Sequence, residues 1–151
     1  MTLLDAPRYD ARRARIIRNS ILATLGVLLL GAILSWAFWD WPEQHRVNHF
    51  FSLVEKGDLN DAYGYWNNDP QWREHSDRYT GYTFAEFEKD WGPSGEYGVI
   101  RSHKVGLTAT KGNGVIMGVD INGGKTPVFL RVDGKTKEIG FSPVELYVGP
   151  D

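Results

Sequence analysis

From Asn19 to Trp39 the chain reads NSILATLGVLLLGAILSWAFW, 21 residues without a formal charge. Wound as an α-helix at about 1.5 Å per residue, that stretch is roughly 30 Å long, the thickness of a bilayer's hydrocarbon core. The alternative is a buried core helix. It fits badly, because residues 21–34 are apolar all round, whereas a soluble helix in a small domain keeps a polar stripe. The stretch is read as a transmembrane helix, residues 19–39, in contact with membrane lipid. It divides the 151 residues into a basic tail, 1–18, and an outside domain, 40–151.

The flanks give a direction. Arg8, Arg12, Arg13, Arg15 and Arg18 precede the stretch against only Asp5 and Asp10, while Asp40, Trp41, Pro42 and Glu43 follow it. Basic flanks stay in the cytoplasm, which puts the N-terminus inside and everything after Trp39 outside. Trp36, Trp39 and Trp41, with Phe38 among them, cluster at the exit end, where indole suits the headgroup layer because it has an apolar body and one polar N–H. A cleaved secretory signal competes with this reading, since Ser35-Trp36-Ala37 has the small-x-small form of a cleavage site. The apolar run is long for a signal, tryptophans crowd the site and the basic tail is extended, so an uncleaved anchor is preferred. Gly31 and Ser35, four apart, are small enough to admit a second helix.

The outside domain carries 12 Lys+Arg and 17 Asp+Glu, a formal charge of −5. An acidic domain without a basic stripe is a poor match for phosphate backbones, which argues against nucleic acid. The chain has no cysteine, which excludes a disulfide scaffold, thiolate metal ligands and a cysteine nucleophile. The domain is long enough to bury one core without staples.

Its first half reads helical. Val47, Phe50, Phe51 and Val54 make one apolar face, Gly57 a C-terminal stop, and Asp58 a cap for a second helix carrying Leu59, Ala62, Tyr63 and Trp66. Asn67-Asn68-Asp69-Pro70 ends that helix, and Gln71 to Gly81 reads as a polar, irregular connection. Thr83-Phe84-Ala85-Glu86 is a capping box opening a third helix, with Phe84, Phe87 and Trp91 on one side, closed by Gly92-Pro93-Ser94-Gly95. The second half reads as strands: Val105, Leu107 and Ala109; then Val115, Met117, Val119 and Ile121; then Val128 to Val132; then residues 137–141. Val144, Leu146 and Val148 extend the pattern. Turns at Gly112-Asn113-Gly114, Asn122-Gly123-Gly124 and Asp133-Gly134 make the strands antiparallel hairpins. Helices followed by a meander give the α+β class, with helices packed on one face of the sheet.

The run from Val47 to Tyr63, an amphipathic helix, a Gly57-Asp58 break and a second helix with Ala62-Tyr63, resembles the opening of nuclear transport factor 2-like domains. The helix–helix–helix then four-strand order is similar too, over about residues 43–148. The resemblance implies a strongly curved sheet wrapping the helices into a cone with a pocket. An anchor ahead of such a domain resembles bacterial cell-envelope members, including inner-membrane scaffold subunits of type IV secretion systems. That implies a single-pass protein of the bacterial inner membrane whose outside domain docks onto another membrane protein or complex.

Residues able to carry chemistry are few. Enzymatic cousins such as ketosteroid isomerase use a carboxylate base and hydrogen-bond donors in an apolar cone. Small-ligand binding or isomerase-type chemistry is thus the alternative function. Asp120 is the acidic candidate, with Tyr63, Tyr65 and Tyr97 as phenols; alternation puts Asp120 with Ile116 and Gly118, opposite the apolar face. His45 and His49 stand four apart but lack a third ligand, and His75 and His103 read as surface or satisfied residues, so no metal and no cofactor are expected. The glycine pairs precede no helix and make no phosphate loop. Tyr63, Trp66, Phe87 and Trp91 are assigned to the core. Trp72, Tyr79 and Tyr82 lie in the polar connection and, if exposed, are candidates for a partner surface, because such rings concentrate at binding hot spots.

Overall fold

The computed structural model describes residues 11–37 and 41–146. The chain divides into two compact units, Met1–Trp39 and Asp40–Asp151.

Among its described residues the first unit is one helix, α1, Ala11–Ala37, 27 residues long, or about 40 Å. It is long and apolar enough to cross a membrane, and none of its most apolar window is buried. Leu25, Val27, Leu28, Leu29 and Leu30 are 56–70% exposed on all sides of it. Arg12, Arg13, Arg15 and Arg18 all belong to the helix, and no acidic residue stands in its first turn, an arrangement that opposes the helix dipole. Within its apolar stretch Thr24 Oγ1 donates inward, to the Ser20 carbonyl at 2.9 Å. Trp36 is 83% exposed. Phe38, Trp39 and Asp40 lie outside the described residues.

The second unit is α+β. Helix α2, Trp41–Glu55, buries Val47, Phe50, Phe51 and Val54, the face that the i, i+3, i+4, i+7 spacing predicts. It ends in a Schellman turn, with Asp58 N bonded to the Leu53 carbonyl, Gly57 N to the Val54 carbonyl and Gly57 at φ +79°, a conformation without cost to glycine. Helix α3, Leu59–Trp66, buries Ala62, Tyr63 and Trp66. Asp58 stands at its N-cap, but its side chain makes no capping bond, which corrects the expected cap. At the other end Asn68 takes the left-handed position, φ 53°, and closes a second Schellman turn through Asp69 N to the Gly64 carbonyl. The 71–81 connection is not irregular throughout: Trp72–Arg78 forms a 3-10 turn, started by Asp69 Oδ1 accepting from Gln71 N at 3.0 Å. Helix α4, Phe84–Trp91, opens with the full Thr83/Glu86 capping box and buries Phe87 and Trp91.

Four antiparallel strands follow in a meander ordered β1-β2-β3-β4: β1 His103–Lys111, β2 Gly114–Ile121, β3 Val128–Asp133 and β4 Ile139–Phe141. Two departures from the alternation have local causes. The register slips between Val105 and Thr108, so two residues of β1, Gly106 and Leu107, face one of β2. Thr108 then shares the helix side with Val105, and Leu107 is left 41% exposed. The predicted extension through Val144 and Leu146 is not a strand: Ser142 Oγ donates to the Val144 carbonyl and accepts from its amide, making a local turn instead. Val148 lies outside the described residues.

The core fills the space between the helices and one sheet face, where Val115, Met117, Val119 and Ile121 meet the aromatic side chains of α2, α3 and α4. Yet Ile116, on the other face, is only 2% exposed. Arg131 of β3 is its cross-strand partner. Phe129 lies across Gly118, so close that a Cβ there would stand 3.1 Å from Phe129 Cε1, and Arg131 lies across Gly114. This is the cross-strand rescue of glycine by a large neighbour.

Polar contacts tie α2 down along its length. Lys137 Nζ meets Glu43 Oε1 at 2.7 Å, Arg46 donates to the Tyr65 carbonyl and to Asn68 Oδ1, and His103 bridges Glu55 and Asn48 at 2.6 and 3.0 Å. Asn122 clasps the segment between α4 and β1, accepting from Arg101 N and donating to the Tyr97 and Val99 carbonyls.

Candidate functional site

Three local signals converge on one face of the helical layer. The Asp69 turn sends the chain back along α3, the 3-10 turn lifts Trp72 and Tyr79 against it, and the Thr83 cap aims Phe84 at the same place. Gly64 permits the return, because a Cβ there would stand 3.0 Å from the Asp69 carbonyl oxygen and 3.1 Å from Trp72 Cδ1. The result is an open cleft of about 290 Å³ lined by Tyr63, Trp72, Ser76, Tyr79, Thr83, Phe84 and Ala85.

The rings are mutually fixed. Trp72 stacks on Phe84 with centroids 5.0 Å apart and meets Tyr63 edge-on at 4.7 Å, while Tyr79 meets Tyr63 edge-on at 6.1 Å. Each polar handle is used inside the domain. Trp72 Nε1 donates to the Asn60 carbonyl at 3.1 Å, Tyr79 Oη to Asp69 Oδ2 at 2.7 Å, and Tyr63 Oη to the Tyr82 carbonyl at 2.5 Å. Trp72, Tyr79 and Phe84 are half-buried, and Ser76 and Ala85 are exposed at the rim. The side chains are thus held before any contact is made, which lowers the entropy cost of binding.

Of the sequence candidates, Trp72 and Tyr79 come together here. Tyr82, also half-buried, turns elsewhere: its hydroxyl donates to Asp90 Oδ2 at 2.7 Å and its ring lies by Trp66 and Phe141. Asp120 is half-buried on the sheet face away from the helices, opposite Lys104. Trp41 is 58% exposed and stacks on His45; His49 packs on Tyr65 at 4.7 Å. No group of three metal-ligating side chains occurs among the described residues.

The sequence reading missed the Asp69 cluster. His75 Nδ1 lies 2.8 Å from Asp69 Oδ2, the oxygen that also accepts from Tyr79. The Tyr79 hydroxyl and the His75 ring hold the Asp69 carboxyl below the usual carboxylate range. Burial, then the bond to Asp69, pushes Tyr79 up to about 12; burial and Asp90 likewise raise Tyr82. The carboxylate–imidazole pair has the outline of a base, but no hydroxyl is bonded to His75 Nε2 among the described residues, and none of their charged side chains is buried. The cluster instead braces the wall of the cleft.

This bracing has a pH signature. A tyrosine whose folded value is raised contributes stability that is complete below its ordinary value near 10 and is lost as pH rises through about 12. For Asp69 the sign is opposite: its contribution is present above the ordinary carboxylate value and is lost as pH falls through the depressed one. Asp69→Asn is expected to bring the Tyr79 titration part of the way back towards 10, burial accounting for the remainder. Phenolate absorbance against pH, compared with Tyr79→Phe, measures it; an unchanged curve would deny the bond its effect.

A larger groove, about 380 Å³, runs between α2 and α3 past His49, Asn60, Asp61, Tyr65 and Asn68. Arg46 beside it is already bonded to the Tyr65 carbonyl and Asn68. Comparison of the chain with protein-family models, curated proteins and solved structures finds no match.

Proposed function

We propose that the chain is a single-pass protein of the bacterial inner membrane that acts as a non-enzymatic accessory or scaffold subunit. Helix α1 crosses the bilayer with its arginines in the cytoplasm, and the α+β domain, with the cone-like curvature of nuclear transport factor 2-like domains, docks onto another envelope protein. The observation that carries the anchor is the uniform exposure of apolar side chains around α1, which water penalises at about 25 cal/mol per Å² and lipid does not. Thr24 suits the same setting, since its hydroxyl is bonded within its own helix. The docking role is supported by the braced aromatic cleft. Confinement near the membrane raises the effective concentration towards membrane-bound partners into the range of about millimolar, so a small cleft is sufficient.

The test is photo-crosslinking in native membranes from a reactive residue at Ser76 or Ala85, both exposed on the cleft rim. One discrete adduct with a membrane polypeptide is expected, absent when the crosslinker stands at Lys104 on the sheet. Equal or diffuse labelling from both faces would remove the docking role.

A further inference from the structure

Resting on the docking reading, we propose that the cleft takes an extended, proline-bearing peptide segment with basic flanks, presented by the partner protein. Size is the first argument. At about 290 Å³ the cleft falls at the lower end of ligand sites, about 300–1,000 Å³, which suits one or two small rings of a chain lying across it rather than a whole metabolite.

The second argument is the chemistry of the walls. Trp72, Tyr79 and Tyr63 have all given their donors to Asn60, Asp69 and Tyr82, so the rings offer the cleft chiefly carbon. A glycan needs convergent donors and acceptors to replace its lost water. A proline ring does not: it has no N–H and packs on aromatic faces, and a proline-bearing strand is already extended before it binds. Charge is the third argument. Residues 69–90 hold six carboxylates against three basic side chains. On the 3-10 turn Glu74 and Asp77 are matched by Arg73 and Arg78, with Arg73 over the Trp72 ring at 5.6 Å, so the acidic excess comes from Asp69 and from Glu86, Glu88 and Asp90 of α4 against Lys89. That field attracts Lys and Arg beside the prolines and repels acidic segments.

The experiment uses the full chain in zwitterionic-lipid nanodiscs and a fluorescent peptide of Pro-Pro-Lys repeats. Ala-Ala-Lys and Pro-Pro-Glu repeats and an N-acetylglucosamine oligomer serve as comparisons. The Pro-Pro-Lys probe is expected to bind about tenfold or more tightly than each of the others. Ser76→Trp and Ala85→Trp, on exposed rim positions, are each expected to weaken it by a similar factor while near-ultraviolet circular dichroism confirms the fold. Equal binding of the alanine repeat, preference for the sugar, or binding that survives both occluding variants would overturn the proposal. If no peptide binds while the Ser76 crosslinker still captures its membrane polypeptide, this proposal fails and the docking reading stands. If the peptide binds but that adduct never forms, the docking reading fails instead.

Discussion

Trp91→Ala is expected to cost about 3–5 kcal/mol, the range for truncating a large buried ring, out of a total of about 5–15 kcal/mol for a domain of this kind. Trp91 is 1% exposed and sits where the layers join. Phe50 and Phe51 of α2 meet it edge-on at 5.3 and 5.6 Å, and Tyr97 and Phe141 stack on it at 5.9 and 5.8 Å. Its removal opens a void touching α2, the segment after α4, and β4 together, so denaturant unfolding should lose most of its cooperative transition. Trp91→Phe should be far milder, since a phenyl ring refills much of the space that the indole leaves and keeps the apolar contacts of the layer. Val99→Ala, at a side chain 53% exposed, should stay within about 0.5 kcal/mol. A loss for Trp91→Ala no larger than that of Val99→Ala would mean the domain is not organised around this ring.

The second large effect concerns direction. Arg12, Arg13, Arg15 and Arg18 open α1 although basic side chains at a helix N-terminus oppose its dipole, so helix stability does not account for them; under the proposed anchoring, their role is to orient α1 in the bilayer. The chain has no cysteine, so Ser94→Cys, at an exposed position beyond α4, gives a single reporter. In spheroplasts a membrane-impermeant maleimide is expected to label it nearly completely. With the four arginines changed to glutamine, labelling should fall by about half or more as inverted chains accumulate. Unchanged labelling would show that something else sets the topology.

Much of the second unit was legible because its signals are local and agree with one another. The faces of α2 and α3, the Thr83 capping box and the strand order each follow from spacing or from one or two residues with a defined backbone preference. What escaped depends on partners distant in sequence or on one-residue slips. The bulge opposite Gly118 is invisible to an alternation count, because Val105, Leu107 and Ala109 read as a perfect strand. Asp58 looks like a cap, but its backbone, φ −80° and ψ 60°, is not that of a capping residue. What lies over the outer face around Ile116 follows from the β2–β3 register, which sets Arg131 opposite it and Phe129 opposite Gly118. In the cleft, Trp72 and Tyr79 stand out by composition, but their convergence depends on Asp69, which reads only as part of a helix stop until His75 and Tyr79 are seen bonded to it.

Alkaline carbonate extraction of native membranes bears most directly on the whole account. With α1 embedded as a spanning helix, the chain should remain entirely in the sedimented membranes at full length. Release of the intact polypeptide into the wash, or recovery there of a shorter one beginning at Phe38, would contradict it.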